Sequence, residues 1–258
     1  MRTYLLLPAY NEELALHDLL PKALGVLNAE QIILVDDGST DRTADVARAF
    51  GVTLLQHERN QGLAGAIRTL FRAAAQLTGP EDVIVTMDSD NTMNPAQIPE
   101  MLRAVQAGAD IVIASRFVGG GSERGVPPLR RLYSRGTRLL FQTQFPIPGV
   151  RDYTCGYRAY RAGLLHAYIR DYPRLFESRG FTAQTEMLFN LSRYRPVVQE
   201  IPLELRYDLK GGGSKMNVTR TIREYLELGF RTRQRQRTWE VHAPGLGAPP
   251  SDQAVRMR

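Results

Sequence analysis

The stretch DVIVTMDSDNTMNPAQ, residues 82–97, moves from an apolar run, through two aspartates one residue apart, to an asparagine–proline pair. Val83, Ile84 and Val85 suit a strand covered on both faces. Asn94, Pro95 and Gln97 read as helix cap, first-turn proline and capping-box partner. Asp88 and Asp90 therefore fall on a short strand-to-helix loop. Two like charges so close repel unless a cation bridges them or one is protonated.

The same strand–loop–helix grammar recurs on both sides of this stretch. Apolar runs TYLLL (3–7), QIILVD (31–36), VTLLQ (52–56) and DIVIAS (110–115) alternate with helical patterns such as GLAGAIRTLFRAAAQL (62–77). Such alternation predicts an α/β fold with a mostly parallel, doubly wound, Rossmann-like sheet. Ligands of such sheets gather at the carboxyl ends of the strands. PAYNE, DDGSTD, HERNQG, DSDN and SRFVGGG all fall there. After residue 116 the pattern changes to the glycine-rich VGGGSERGVPP and the basic, apolar PLRRLYSRGTRLLFQTQF (128–145). YTCGYRAYR (153–161) reads as a strand entering a helix, FTAQTEMLFNLSRY (181–194) as a helix, and VVQEIPLELRY (197–207) as a strand. VTRTIREYLELGFRTRQRQR (218–237) reads as a final helix. The division expected is residues 1–116, 117–230 as a second half of the same domain, and a basic tail, 231–258.

Composition narrows the partners. With 258 residues, 43% of them hydrophobic, the chain can bury a sizeable core, and a net charge of +6 favours anionic ligands. The single cysteine, Cys155, excludes an internal disulfide framework or a multi-cysteine zinc site. The first apolar run breaks at Pro8, unlike a signal peptide, so a cytoplasmic setting is expected. No segment reaches the ~18 apolar residues of a membrane span. A basic amphipathic segment at 128–145 can lie on a lipid surface, so peripheral attachment, or reliance on a membrane partner protein, is expected. Nucleic acid is not an expected partner: the acidic loops occupy the ligand edge, and the basic residues concentrate elsewhere.

In chemical terms, magnesium or manganese suits Asp88 and Asp90, because these ions take oxygen ligands and share phosphate oxygens. Asp36 and Asp37 can accept from a base N–H or a ribose hydroxyl. The tri-glycine before Ser214 and Lys215 allows close approach to an anion, as in a loop that closes over its ligand.

LLLPAYNEE, VDDGSTDRT, RNQGLAGA, MDSDN and ASRF, in this order over roughly residues 3–230, resemble the family 2 glycosyltransferases of GT-A fold. The second half, with RRLYSRG, DYTCGYRAYR, GFTAQTE and GGGSKM, looks most like the polyprenyl-phosphate sugar synthases, typified by dolichyl-phosphate mannose synthase. The resemblance implies inverting transfer from a nucleotide-diphosphate sugar, of GDP-mannose or UDP-glucose type, to a polyprenyl phosphate. It implies that Pro8, Tyr10, Glu12 and Asp37 hold the nucleotide and that Asp88 and Asp90 hold the metal. Arg116 would be catalytic, and Arg131, Ser214 and Lys215 would bind phosphate or acceptor. The synthases carry glutamine where this chain has Thr92, so water or Asn91 would complete the metal shell. The Q-x-x-R-W signature of processive synthases and the usual E-D base pair are absent from the sequence. A phosphate acceptor needs no general base, being already anionic. Glu186 is the fallback base for the alternative, a soluble or protein hydroxyl acceptor. A nucleotidyltransferase, releasing pyrophosphate, is the other enzyme reading.

Overall fold

In the computed structural model, residues 1–178, 180–210 and 218–236 are described. The first half builds β1 (Thr3–Ala9), α1 (Glu13–Leu24), β2 (Ile32–Asp36), α2 (Thr43–Ala49), β3 (Thr53–Gln56), α3 (Leu63–Leu77), β4 (Val83–Thr86), α4 (Ile98–Gln106) and β5 (Ile111–Ser115). Each apolar run of the sequence is thus a strand. Leu5, Leu6, Leu7, Ile33, Leu34 and Ile84 have no exposed surface, as continuous apolar strands between two helix layers require. Burying each such side chain contributes about 1.5–3 kcal/mol.

The second half adds β6 (Ser122–Arg124), α5 (Pro128–Gln144), β7 (Arg158–Arg161), α6 (Ala162–Asp171), α7 (Thr182–Leu191), β8 (Val198–Pro202), β9 (Glu204–Arg206) and α8 (Val218–Gln236). The seven-stranded sheet runs β3-β2-β1-β4-β7-β5-β8, and β6 pairs with β9 apart from it. All strands of the main sheet are parallel except β7, which is antiparallel to both β4 and β5. The segment 197–207 is two strands rather than one, because β8 continues the main sheet while β9 joins β6. Buried Leu203 is the pivot, donating to the Ser115 carbonyl and accepting from Ser122 N.

The chain steps from β1 outward to β3 and then returns across β1 to β4, so α3 covers β1 and β2 on the face opposite α1 and α2. Strand order therefore reverses between β1 and β4, opening a crevice at their carboxyl ends. Asn94 caps the turn into α4 by accepting from Ala96 N at 3.0 Å. Gln97 does not close a capping box; its amide donates to the Pro202 carbonyl and ties the loop to β8. α5, α7 and α8 are joined by an aromatic cluster, in which Phe141 lies 5.2 Å from Phe189, 5.6 Å from Tyr225 and 5.7 Å from Tyr153. Residues 231–236 continue α8, and 237–258 lie outside the described residues.

Candidate active site

A cleft of about 580 Å³ opens at the β1/β4 crevice and extends beneath α5 and α8. It collects Pro8, Tyr10 and Glu12 from β1 and the turn after it, Asp37 from the loop after β2, and Asp88 and Asp90 from that after β4. Arg116 joins them from the turn after β5. These are the sequence-predicted nucleotide, metal and catalytic residues, brought to one wall by strand order.

Hydrogen bonds between loops fix this wall. Asn11 N donates to Ser39 Oγ at 2.9 Å, Glu12 N to Thr43 Oγ1 at 2.8 Å, and Thr40 N to Asn11 Oδ1 at 2.8 Å. Ser89 Oγ donates to the Pro8 carbonyl. Asp36 and Asp37 divide their labour. Asp36 accepts from Ser39 N and Gln56 Nε2, holding the turn, while Asp37 lines the cleft.

The carboxylate pair is electrostatically unsettled. Burial, followed by the charges of Asp90 and Glu12, pushes the Asp88 carboxyl up to about 7. Asp90 accepts from Thr92 N and Oγ1 on Oδ1, at 3.2 and 2.6 Å, and from the Lys210 ammonium on Oδ2. Thr92 thus serves Asp90. Asn91 is turned away from the cleft, accepting from Lys22 Nζ at 2.8 Å, and so cannot complete a metal shell there. Among the described residues no cluster of three or more His, Cys, Asp or Glu could cage a metal. Magnesium and manganese need no such cage. One or two carboxylates with substrate phosphates suffice, and Asp90 Oδ2, which accepts from Lys210 alone, keeps a second lone pair. A half-buried acid that resists ionising beside a second acid is a donor set that a divalent cation fits.

Arg116 is held as a fork. Its Nε and Nη2 each donate to Asp152 at 2.7 Å, and Nη2 also reaches Thr154 Oγ1 at 2.7 Å. Asp152 is fully buried, and the guanidinium holds its carboxyl below the ordinary range despite that burial. Arg116 therefore stands at the cleft with its Nε–Nη2 edge taken by Asp152 and its Nη1 3.3 Å from Glu123 Oε1.

Several sequence-based assignments need correcting. Arg131 does not line the cleft; its Nη2 donates to the Glu123 carbonyl at 3.2 Å. Its neighbour Arg130 does line it, bonding Tyr207 Oη and lying 5.1 Å over the Tyr207 ring. Lys210 sits 5.5 Å from the same ring, so Tyr207 organises two cations beside Asp90. Glu186 is no base candidate. It is 2% exposed and accepts from Glu177 N, Ser178 N and Ser178 Oγ, holding the chain before α7. Ser214 and Lys215 lie outside the described residues. Cys155 lines the cleft, but burial pushes its thiol up to about 12, which removes thiolate chemistry.

Comparison with known proteins agrees with this geometry. The sequence profile of glycosyl transferase family 2 matches residues 4–169. An undecaprenyl-phosphate mannosyltransferase of Micrococcus luteus is 34% identical over 84% of this chain and 88% of its own. A polyprenol monophosphomannose synthase of Mycolicibacterium smegmatis is 30% identical over 90% and 88%. Glucosyl-3-phosphoglycerate synthase from Mycobacterium tuberculosis, crystallised with Mn2+, UDP-glucose and phosphoglyceric acid, shares the fold. Its TM-score is 0.67 at 20% identity, covering 90% of this chain and 79% of that one.

Proposed function

Since the chain belongs to glycosyl transferase family 2, and is therefore a glycosyltransferase, we propose that it transfers a hexose from a nucleotide-diphosphate sugar to a polyprenyl phosphate, with inversion. One observation carries the choice of acceptor. Beside the carboxylates the cleft presents two cations gathered on Tyr207, Arg130 and Lys210, and from there it runs under α5 and α8. A phosphate bound there is already a nucleophile. Its oxygen bonds to the anomeric carbon as the bond from that carbon to the diphosphate oxygen breaks. The nucleoside diphosphate leaves, and no proton has to be removed.

Asp88 and Asp90 would hold magnesium or manganese, which when bound supplies positive charge for the departing diphosphate. The chain's own residues do the rest. Tyr10, Glu12 and Asp37 seat the nucleoside; Arg116 adds a fixed, buried positive charge; Arg130 orients the acceptor phosphate. Positioning and charge stabilisation of this kind account for most of the acceleration in transfers that need little acid–base help.

The test is an assay with labelled UDP-glucose and GDP-mannose, offered polyprenyl phosphate in detergent or a simple sugar hydroxyl. Transfer to the phosphate with release of nucleoside diphosphate is expected. Transfer to the hydroxyl alone, or release of pyrophosphate, overturns the reading. Within that assay Arg130→Ala is expected to raise the acceptor KM about ten- to a hundredfold, the worth of a charged hydrogen bond. Arg131→Ala is expected to change it by no more than about threefold. The reverse order would place the acceptor phosphate on the other side of α5.

The outer faces of the same two helices suit an anionic bilayer. Among the described residues no helix is long and apolar enough to cross a membrane. Yet Leu129, Leu132 and Leu139 on α5 and Leu226 and Phe230 on α8 are each more than half exposed. Exposed Arg135 and Arg223 flank them. The inward faces of these helices, with Tyr133, Thr137, Thr221 and Tyr225, line the cleft. Docking by this surface presents a lipid phosphate to Arg130 while its chain stays in the bilayer. Leu132→Glu with Leu139→Glu is expected to weaken co-sedimentation with phosphatidylglycerol vesicles at least about tenfold, with an unchanged far-UV spectrum. Undiminished binding would exclude this face.

A further inference from the structure

The loop HERNQG, residues 57–62, stands beside the nucleotide wall without a role so far. His57 is nearly buried, and both its ring nitrogens are engaged. Nδ1 is 2.6 Å from Asp37 Oδ1, and Nε2 is 2.9 Å from Thr69 Oγ1 on α3. A carboxylate only accepts, so Nδ1 carries the proton toward Asp37. Gln61 N donates to the same Oδ1 at 2.9 Å. Asp37 Oδ2 takes no hydrogen bond among the described residues, and Asp37, Asn60 and Gly62 line the cleft.

The two loops are locked backbone to backbone. Gly38 has φ +71, and a Cβ there would lie 2.6 Å from Arg59 C and Asn60 N. His57 N donates to the Asp36 carbonyl at 2.9 Å. The carboxylate of Asp37 therefore cannot rotate freely. One oxygen is fixed to the protein by two donors, and the other is left for a ligand.

We propose that His57 is a positioning residue for nucleobase recognition. By fixing Asp37 Oδ1, it leaves Oδ2 to read a ring N–H on the base. This rests on the cleft being a nucleotide-sugar site. A hydrogen-bond acceptor at that place favours uracil and guanine, which carry a ring N–H between or beside carbonyls. It disfavours cytosine and adenine, whose corresponding nitrogen bears a lone pair. Neutral or polar neighbours could satisfy Asp37 without imposing this choice; a ring clamped at both ends imposes it.

The experiment is calorimetric binding of UDP, GDP, CDP and inorganic pyrophosphate, each with Mn2+, to the full chain. The wild type should bind UDP or GDP at least about tenfold more tightly than CDP. His57→Ala should erase most of that ratio and leave pyrophosphate affinity within about twofold. His57→Asn keeps a donor within reach of Asp37 and should recover part of the ratio. It also carries the measurement if the alanine variant does not fold. In an Asp37→Asn background, His57→Ala should have no further effect on base preference, because the histidine acts only through that carboxylate. An unchanged ratio in both His57 variants overturns the proposal. So does an equal loss for all four ligands, which marks a purely structural residue. If the wild type binds none of the nucleotides, it is the nucleotide-sugar reading that falls.

Discussion

Replacing Asp88 or Asp90 by asparagine is expected to lower turnover by about a hundred- to a thousandfold, the usual cost of removing a group that stabilises transition-state charge. The loss should come without a matching loss of stability. Asp88 is raised from 3.8 to about 7 by burial and by Asp90. A carboxyl raised in the folded state is comfortable while neutral; its contribution is intact below about 4 and is lost as pH climbs through 7. At pH 8 the native protein thus holds an ionised Asp88 at a cost, and Asp88→Asn removes it. The variant should melt at the same temperature or higher at pH 8, yet be nearly inactive and no longer stabilised by nucleoside diphosphate with Mn2+. Activity above a tenth of wild type would detach the pair from catalysis.

Asp152→Ala should show the opposite signature, a large loss of stability. Asp152 accepts from Arg116 Nε and Nη2 and from Cys155 N, at 2.7, 2.7 and 3.1 Å, and is fully buried. Removing Asp152 leaves a nearly buried guanidinium with only Glu123 Oε1, 3.3 Å from Nη1, to balance it, at about 3–5 kcal/mol. For a domain this size that lowers the melting temperature on the order of 10 °C. Arg116→Met added to Asp152→Ala should recover part of the loss, because the orphaned charge goes too. The pH dependence follows from the sign of the shift. Asp152 is depressed in the folded state, so its contribution is intact above about 4 and fades as pH falls through its lower native value. The variant should therefore lose less stability than the wild type on acidification. A change in melting temperature under about 2 °C would show that Glu123 alone balances Arg116.

The strands of the first half were readable because their physical demand is local. A strand covered on both faces must be apolar throughout, as Leu5–Leu7 and Ile33–Val35 are. The site loops were readable for a related reason: strand order alone brings their ends together. The rest has no such local signature. The place of β7 depends on pairing across some seventy residues, which no local pattern encodes. The phase of α5 is ambiguous by one residue, since arginines at 130, 131, 135 and 138 surround the helix. Glu186 reads as a base from sequence, but AQTE sits on a helix buried on nearly every side, where an acid serves the backbone. Lys210 carries a signal, a lysine directly before three glycines, in the same basic loop as Ser214 and Lys215. Asp152 stood in plain view in DYTCGY, and His57 in HERNQG; single residues acting through a partner leave no spacing to recognise.

The antiparallel β7 has a consequence for biosynthesis. β5 leaves the ribosome before either of its neighbours, β7 and β8, and β4 is bare on one side until residue 161 has been made. During that interval the nascent chain carries one bare edge of β4 and both edges of β5 with nothing to seal them, the condition under which strands join to foreign partners. A release at residue 116 would make this permanent, so truncated products of this chain should be the ones that chaperones and proteases meet first.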